Sequence, residues 1–192
     1  MDDGTYAEVI GRQTKQMAGM IDQLLELSRL QTEVYELAPT ELHQLLSATV
    51  EDYRTAFRHR NMELIVEDAL PPQVWVMADG RKLESVLRNL LSNALKYSEG
   101  NEVRVSAEVR SDAVHFRIAN NADTRNKAKW DQVWEPFFVM EESRSKQLSG
   151  TGLGLSITAS ILQKHGAAYG HEAEDGKAAF YFSLGVIGGN KK

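Results

Sequence analysis

Residues 87–98 read Leu87-Arg88-Asn89-Leu90-Leu91-Ser92-Asn93-Ala94-Leu95-Lys96-Tyr97-Ser98. Their apolar positions recur at helical spacing, and two amides, Asn89 and Asn93, fall one turn apart on a single face. A carboxamide presents a neutral oxygen, which suits a hard cation such as Mg²⁺ without an anionic cage. Lys96 follows Asn93 closely enough to reach a phosphate from the same side. Further on, Gly150-Thr151-Gly152-Leu153-Gly154-Leu155-Ser156 is a glycine-rich turn that opens an apolar helix. Bare backbone N–H groups at a helix start form an anion site. No Gly-Lys-Ser/Thr follows, so this is not a P-loop. Leu155 stands where a dinucleotide fingerprint needs its third glycine. An amide-bearing helix with such a loop reads as a site for Mg²⁺ and nucleotide.

The pair resembles the N box and second glycine box of the sensor histidine kinases, which share a larger ATPase group with gyrase B and Hsp90. The resemblance runs over roughly residues 6–185 and implies a two-layer α/β sandwich, a mixed sheet with helices on one face, preceded by a long amphipathic helix. It implies that Asn89 and Asn93 hold Mg²⁺ on ATP, with Asn93 the stronger candidate. Lys96 would face phosphate and Tyr97 the nucleoside. Gly150, Thr151, Gly152, Leu153 and Gly154 would wrap the phosphates through their backbone. Trp134-Glu135-Pro136-Phe137-Phe138 matches the family's aromatic box, whose rings are expected to pack the base of a lid. Arg144 matches a lid arginine that approaches the terminal phosphate, and Lys146 is a weaker candidate of that kind.

The family's first glycine box, usually Asp-x-Gly-x-Gly, is altered. Asn120 stands at the aspartate position, where its amide oxygen can still accept from adenine. Ala122 and Thr124 replace the glycines, and Arg125 replaces an aliphatic residue. If that turn needs positive φ, a Cβ at Ala122 costs on the order of 1 kcal/mol, and nucleotide affinity should weaken. The alternative is then a degenerate, non-catalytic module that acts through protein contacts.

Composition narrows the remaining possibilities. The 192 residues, 42% hydrophobic and 26% charged, suit one domain with an appendage. The net charge of −5 points to neither nucleic acid nor an anionic membrane. The absence of cysteine excludes disulfides, thiolate catalysis and cysteine zinc sites. The five histidines show no metal-ligand spacing. No apolar run approaches the roughly 18 residues of a membrane span.

Periodicity predicts a helix over residues 6–36. Ile10, Met17 and Leu24 lie at heptad spacing, as do Met20, Leu27 and Val34, and Ile21 and Leu25 widen the stripe. A second helix, capped by Thr40, should run to His59. Strands are predicted at 62–67 and 74–78, and Asp79 should cap the amide helix. A hairpin at 103–110 and 113–119 leads to a lid at about 120–152. A helix at 153–165 and a closing hairpin at 168–173 and 178–184 complete the pattern.

The first helix, Met20-Ile21-Asp22-Gln23-Leu24-Leu25-Glu26-Leu27-Ser28-Arg29-Leu30, looks like the second helix of the family's dimerisation and phosphotransfer hairpin. This divides the chain into 1–37, part of that hairpin, 38–187, an ATP-binding domain, and 188–192, a tail. Neither His43 nor His59 stands in a phosphoacceptor-like context, so the chain reads as a fragment of a longer kinase. The implied partners are ATP or ADP, a response regulator, and a second copy in the full-length kinase. The implied place is the cytoplasmic portion of a bacterial sensor that is membrane-anchored through upstream segments. The sequence 134–154 looks most like Gram-positive kinases sensing envelope stress, the vancomycin-resistance sensors among them.

Overall fold

A computed structural model describes residues 3–140 and 150–187. The chain runs α1 (Asp3–Thr32), β1 (Ala38–Glu41), α2 (Leu42–His59), β2 (Glu63–Ala69), β3 (Trp75–Ala78) and α3 (Gly80–Tyr97). It continues with β4 (Glu102–Arg110), β5 (Ala113–Asn121), α4 (Lys127–Trp130), α5 (Gly154–Lys164), β6 (Ala168–Glu174) and β7 (Lys177–Gly185). Five strands form one sheet in the order β2-β4-β5-β7-β6, with β2 parallel to β4 and every other pair antiparallel. β1 and β3 form a separate antiparallel ribbon. The mixed α/β sandwich is the expected fold.

Alternation along the strands produces its two layers. Val103, Val105 and Ala107 of β4, Val114, Phe116 and Ile118 of β5, and Phe182 and Leu184 of β7 are buried. Phe116 stacks on Phe182 with ring centroids 4.8 Å apart. The intervening residues form the opposite, solvated face, where Arg104 pairs with Glu67 and Glu102, and Arg117 with Glu172. Leu42, Leu46, Val50 and Phe57 of α2 join Leu83, Val86, Leu87, Leu90, Leu91 and Ala94 of α3 and Ile157, Ile161 and Leu162 of α5 in one continuous core.

Asp79 caps α3 as expected, its carboxylate accepting the N–H groups of Arg81 and Lys82. The cap of α2 differs from expectation. Thr40 lies in β1 opposite Val76, and its hydroxyl donates to Ala78 O at 3.0 Å. Glu41 performs the capping instead, accepting from the N–H groups of His43 and Gln44. A short strand at 38–41 carries too few residues for periodicity to reveal it, and the pairing with β3 pulls Thr40 out of the cap.

α1 ends at Thr32 rather than Glu36. The following residues leave the helix to dock. Glu33 pairs with Lys82 at 2.7 Å, while Lys164 donates to Glu33 O at 2.6 Å. Tyr35 lies beneath both ammonium groups and against His165. Burial, helped by nearby Glu33, pushes the Tyr35 hydroxyl up to about 12. The His165 ring closes this joint: it accepts from Asp79 N–H at 3.0 Å, and Nδ1 stands 2.8 Å from Ile161 O.

The stripe of α1 divides. Leu30 is buried, and Met20 and Leu27 pack against the core, whereas Ile10, Met17, Ile21, Leu24 and Leu25 are exposed. Truncation of Leu30 to Ala should therefore cost about 2–5 kcal/mol. Thermal unfolding should show the loss, and hydrogen exchange should place it in the last turns of α1.

Candidate functional site

The buried stripe of α3 fixes the helix's rotation and places its amides on the flank that meets α5. Asn89 and Asn93 are both half-buried there. Asn89 Nδ2 donates to Gly154 O at 3.4 Å, leaving its carbonyl oxygen available. Lys96 is exposed one turn on and makes no ion pair among the described residues.

The glycine-rich loop is tied to a different element at each of three successive residues. Gly150 N–H donates to the Tyr97 hydroxyl of α3 at 3.0 Å. The Thr151 hydroxyl bonds Gln23 of α1. Gly152 O accepts from Phe137 N–H at 2.9 Å. Gly152 has φ of 72°, and a Cβ there would stand 2.5 Å from the Phe137 carbonyl carbon. At Gly150 a Cβ would stand 2.4 Å from the Tyr97 oxygen. Gly152 needs glycine both for space against the Phe137 backbone and for its backbone conformation, whereas at Gly150 the clashing atom is the end of the half-exposed Tyr97 side chain, which can shift. Leu153 is fully buried and fixes the start of α5, whose first turn has no side-chain cap. Among the described residues no side chain caps its first-turn N–H groups, which point where an anion could be received.

Asn120 lies on the buried face of β5, opposite Val103 and Ala178, and its amide donates to Asn121 O. The altered glycine box folds without the strain the sequence suggested. Neither Ala122 nor Thr124 has positive φ. Ala122 N–H donates to Gly176 O, Gly176 N–H donates to the Thr124 hydroxyl, and Arg125 is bound to the Asp123 carboxylate. Asp123 O accepts from the Trp130 indole.

The first part of the stretch expected to form a lid, about 120–152, is anchored to the sheet. Asn120 and Asn121 still pair with β7, and Trp130 and Val133 are buried against Ala178, with Ala122 and Phe180 packed beside them. Trp130, Val133 and Trp134 fall at helical spacing, the available signal that this stretch is anchored. Trp134 meets Tyr169 and Phe180 edge-on and donates to His171 Nδ1 at 3.1 Å. Phe138 packs in the same cluster, whereas Phe137 is exposed and has φ of 65°. That conformation costs a bulky residue about 1–2 kcal/mol. Arg144 and Lys146 lie outside the described residues. Gln23 and His171 were not singled out by sequence, and Phe137 was expected only as a packed ring of the aromatic box, which its exposure contradicts, because each acts through contacts distant along the chain.

Residues 78–186 match the family described as histidine kinase-, DNA gyrase B-, and HSP90-like ATPase. The chain belongs to this ATPase family. Among sequence relatives, the sensor protein VanSC of Enterococcus gallinarum is 28% identical over 181 residues, spanning 93% of this chain and 50% of the relative. The signal transduction histidine-protein kinase BaeS of Escherichia coli is 30% identical over 149 residues, spanning 76% and 32%. The chain thus spans half or less of the length of these relatives. Full-length ShkA in complex with AMPPNP superposes with a TM-score of 0.79 at 22% identity, covering 97% of this chain and 39% of that one. The catalytic domain of the histidine kinase ThkA gives 0.67 at 22% identity, covering 78% and 95%. These likenesses establish the histidine kinase-type ATPase fold.

Because Ala122 occupies an ordinary backbone conformation, restoring glycine there should not tighten nucleotide binding. Ala122→Gly should lower stability by about 0.5–1 kcal/mol, as measured by chemical denaturation, with calorimetric nucleotide affinity unchanged.

His171 gives a pH dependence. Its ring accepts the Trp134 indole N–H, which requires the neutral form, and desolvation holds its pKa below the ordinary 6.5 despite Asp131 nearby. The unfolded chain then binds the proton more readily, so this contribution to stability is complete above about pH 6.5 and is lost as pH falls below it. The melting temperature of the native chain should fall more steeply between pH 7 and pH 5 than that of His171→Gln, whose amide oxygen can accept the same bond without titrating.

Proposed function

We propose that this chain is the ATP-binding catalytic part of a sensor histidine kinase. The observation that carries this is the convergence of three features: Asn89 and Asn93 on one flank of α3, the glycine loop tied against that flank, and the uncapped start of α5. Neutral amide oxygens, uncapped backbone N–H groups and an exposed lysine together recognise a polyphosphate bearing a hard cation. Adenine would lie toward Asn120, and Tyr97 would border the nucleoside.

Mg²⁺ fits the donor set. Among the described residues no cluster of three or more histidine, aspartate or glutamate side chains could hold a metal. The ion would therefore be shared between the amide oxygens of Asn89 and Asn93 and the nucleotide's own phosphates, the mode Mg²⁺ favours. When bound it supplies charge neutralisation between the phosphates. The chain's own contribution is positioning: the loop N–H groups hold the phosphates, and Lys96 adds positive charge beside them. Arg144 would add a second charge at the terminal phosphate.

The γ-phosphoryl group would pass to a histidine nitrogen, forming N–P as the bond to the β–γ bridging oxygen breaks and ADP leaves. That histidine would stand on a hairpin helix of which α1, within residues 1–37, is the partner. Relay to the aspartate of a response regulator would follow. The full-length kinase would be a homodimer, with this part on the cytoplasmic side of a membrane reached through other segments. Among the described residues no helix is long and apolar enough to cross one. Residues 38–187 would form the ATP-binding domain.

Calorimetric titration with ADP and a non-hydrolysable ATP analogue should give Mg²⁺-dependent binding at roughly micromolar to sub-millimolar levels. Asn93→Ala should weaken it on the order of tenfold. Phosphotransfer to a supplied phosphoacceptor hairpin should occur with the native chain. A folded chain silent at millimolar nucleotide would overturn the proposal.

A further inference from the structure

Phe137 is held left-handed, with φ of 65°, although the residue is 54% exposed. Packing of the ring therefore does not explain the conformation. The backbone does. Phe137 N–H donates to Gly152 O at 2.9 Å, and Gly152, itself at φ of 72°, lies so close that a Cβ would strike the Phe137 backbone. On the other side of the same peptide plane, Leu153 N–H faces the Thr151 hydroxyl at 3.3 Å, and that hydroxyl is engaged by Gln23. The Gly152–Leu153 peptide is thus gripped at its oxygen and at its nitrogen.

This plane immediately precedes the uncapped first turn of α5. Rotation of the plane would re-aim the N–H groups that follow. Its grip is itself anchored, because Trp134, three residues before Phe137, is bonded to His171 of β6 and packed on Tyr169 and Phe180. The sheet therefore reaches the glycine loop through the aromatic box.

We infer that Phe137 is a positioning residue. Its backbone N–H fixes the Gly152–Leu153 peptide so that the start of α5 presents its N–H groups to the phosphates of the bound nucleotide. This rests on the ATP-site proposal above. The ring contributes little, and the strained φ occurs where the Phe137 backbone, with its N–H bonded to Gly152 O, is packed against Gly152.

The test is calorimetric titration of the native chain, Phe137→Pro, Gly152→Ala and Phe137→Gly with adenosine, ADP and a non-hydrolysable ATP analogue, with thermal melts of each. Phe137→Pro removes the N–H and cannot adopt positive φ. Gly152→Ala breaks the grip from the other side. Both should weaken ADP and analogue binding about tenfold and leave adenosine binding unchanged. Phe137→Gly keeps the N–H and relieves the strain, and should bind all three as the native chain does. Equal losses for adenosine and ADP would overturn the inference, as would native ADP affinity in a folded Phe137→Pro or Gly152→Ala. A loss of ADP and analogue binding in Phe137→Gly, with adenosine binding kept, would overturn it too, by assigning the effect to the ring. A native chain that binds neither ADP nor analogue would instead overturn the ATP-site proposal, and this inference with it.

Discussion

Burial of one stripe of α3 is the constraint on which the rest of the site depends. Leu83, Val86, Leu87, Leu90, Leu91 and Ala94 leave the helix one rotational setting against the sheet. A turn about its axis would expose several leucines, each worth roughly 1.5–3 kcal/mol of burial. The positions of Asn89 and Asn93 follow from that setting rather than from any interaction of their own. Polar groups aimed at a ligand gain little before the ligand arrives, so an apolar stripe on the same helix has to hold them in place.

The glycine loop follows a different logic. It has no stripe to bury apart from Leu153, and it cannot be held by side chains it does not possess. Its position is set by hydrogen bonds from Tyr97, Gln23 and Phe137, three donors or acceptors on three separate elements. Each such bond contributes on the order of 1 kcal/mol net, less than a single buried leucine. The loop is therefore defined but only lightly held. That combination suits a segment that must accept a charged ligand without first breaking a large contact. The Tyr97 bond illustrates it: Gly150 N–H is satisfied by a hydroxyl at 3.0 Å, a partner that a phosphate oxygen can replace at little cost.

These two logics explain how much could be seen in the sequence. The amide helix was legible because its stripe and its polar flank recur every turn. The hairpin β4–β5 and the closing strands were legible through strict alternation. β1 was not, since its pairing with β3 depends on a partner more than thirty residues away in the chain. The loop's glycines were legible as glycines, but the partners that require them were not: Gln23 looks like any polar helix position, and Phe137 like any aromatic in a packed box. Ala122 shows the reverse error. A departure from a family pattern suggested a strained turn, yet hydrogen bonds to Gly176 hold this segment at an ordinary backbone angle. A missing glycine matters only where the backbone of this chain still needs one.

The divided stripe of α1 carries the same reasoning to the edge of the domain. Met20, Leu27 and Leu30 face the core, and Gln23, on the same side, reaches the glycine loop. The exposed side holds Ile10, Met17, Ile21, Leu24 and Leu25. A helix with two apolar faces and one polar contact to the site has to answer to two neighbours. Any rotation or shift of α1 that improved packing on its outer face would move Gln23 away from Thr151, because a helix turns as a rigid body. The Thr151 hydroxyl is also what Leu153 N–H faces. Displacement of α1 therefore reaches the first turn of α5 through two hydrogen bonds, with no change in the sheet or in α3.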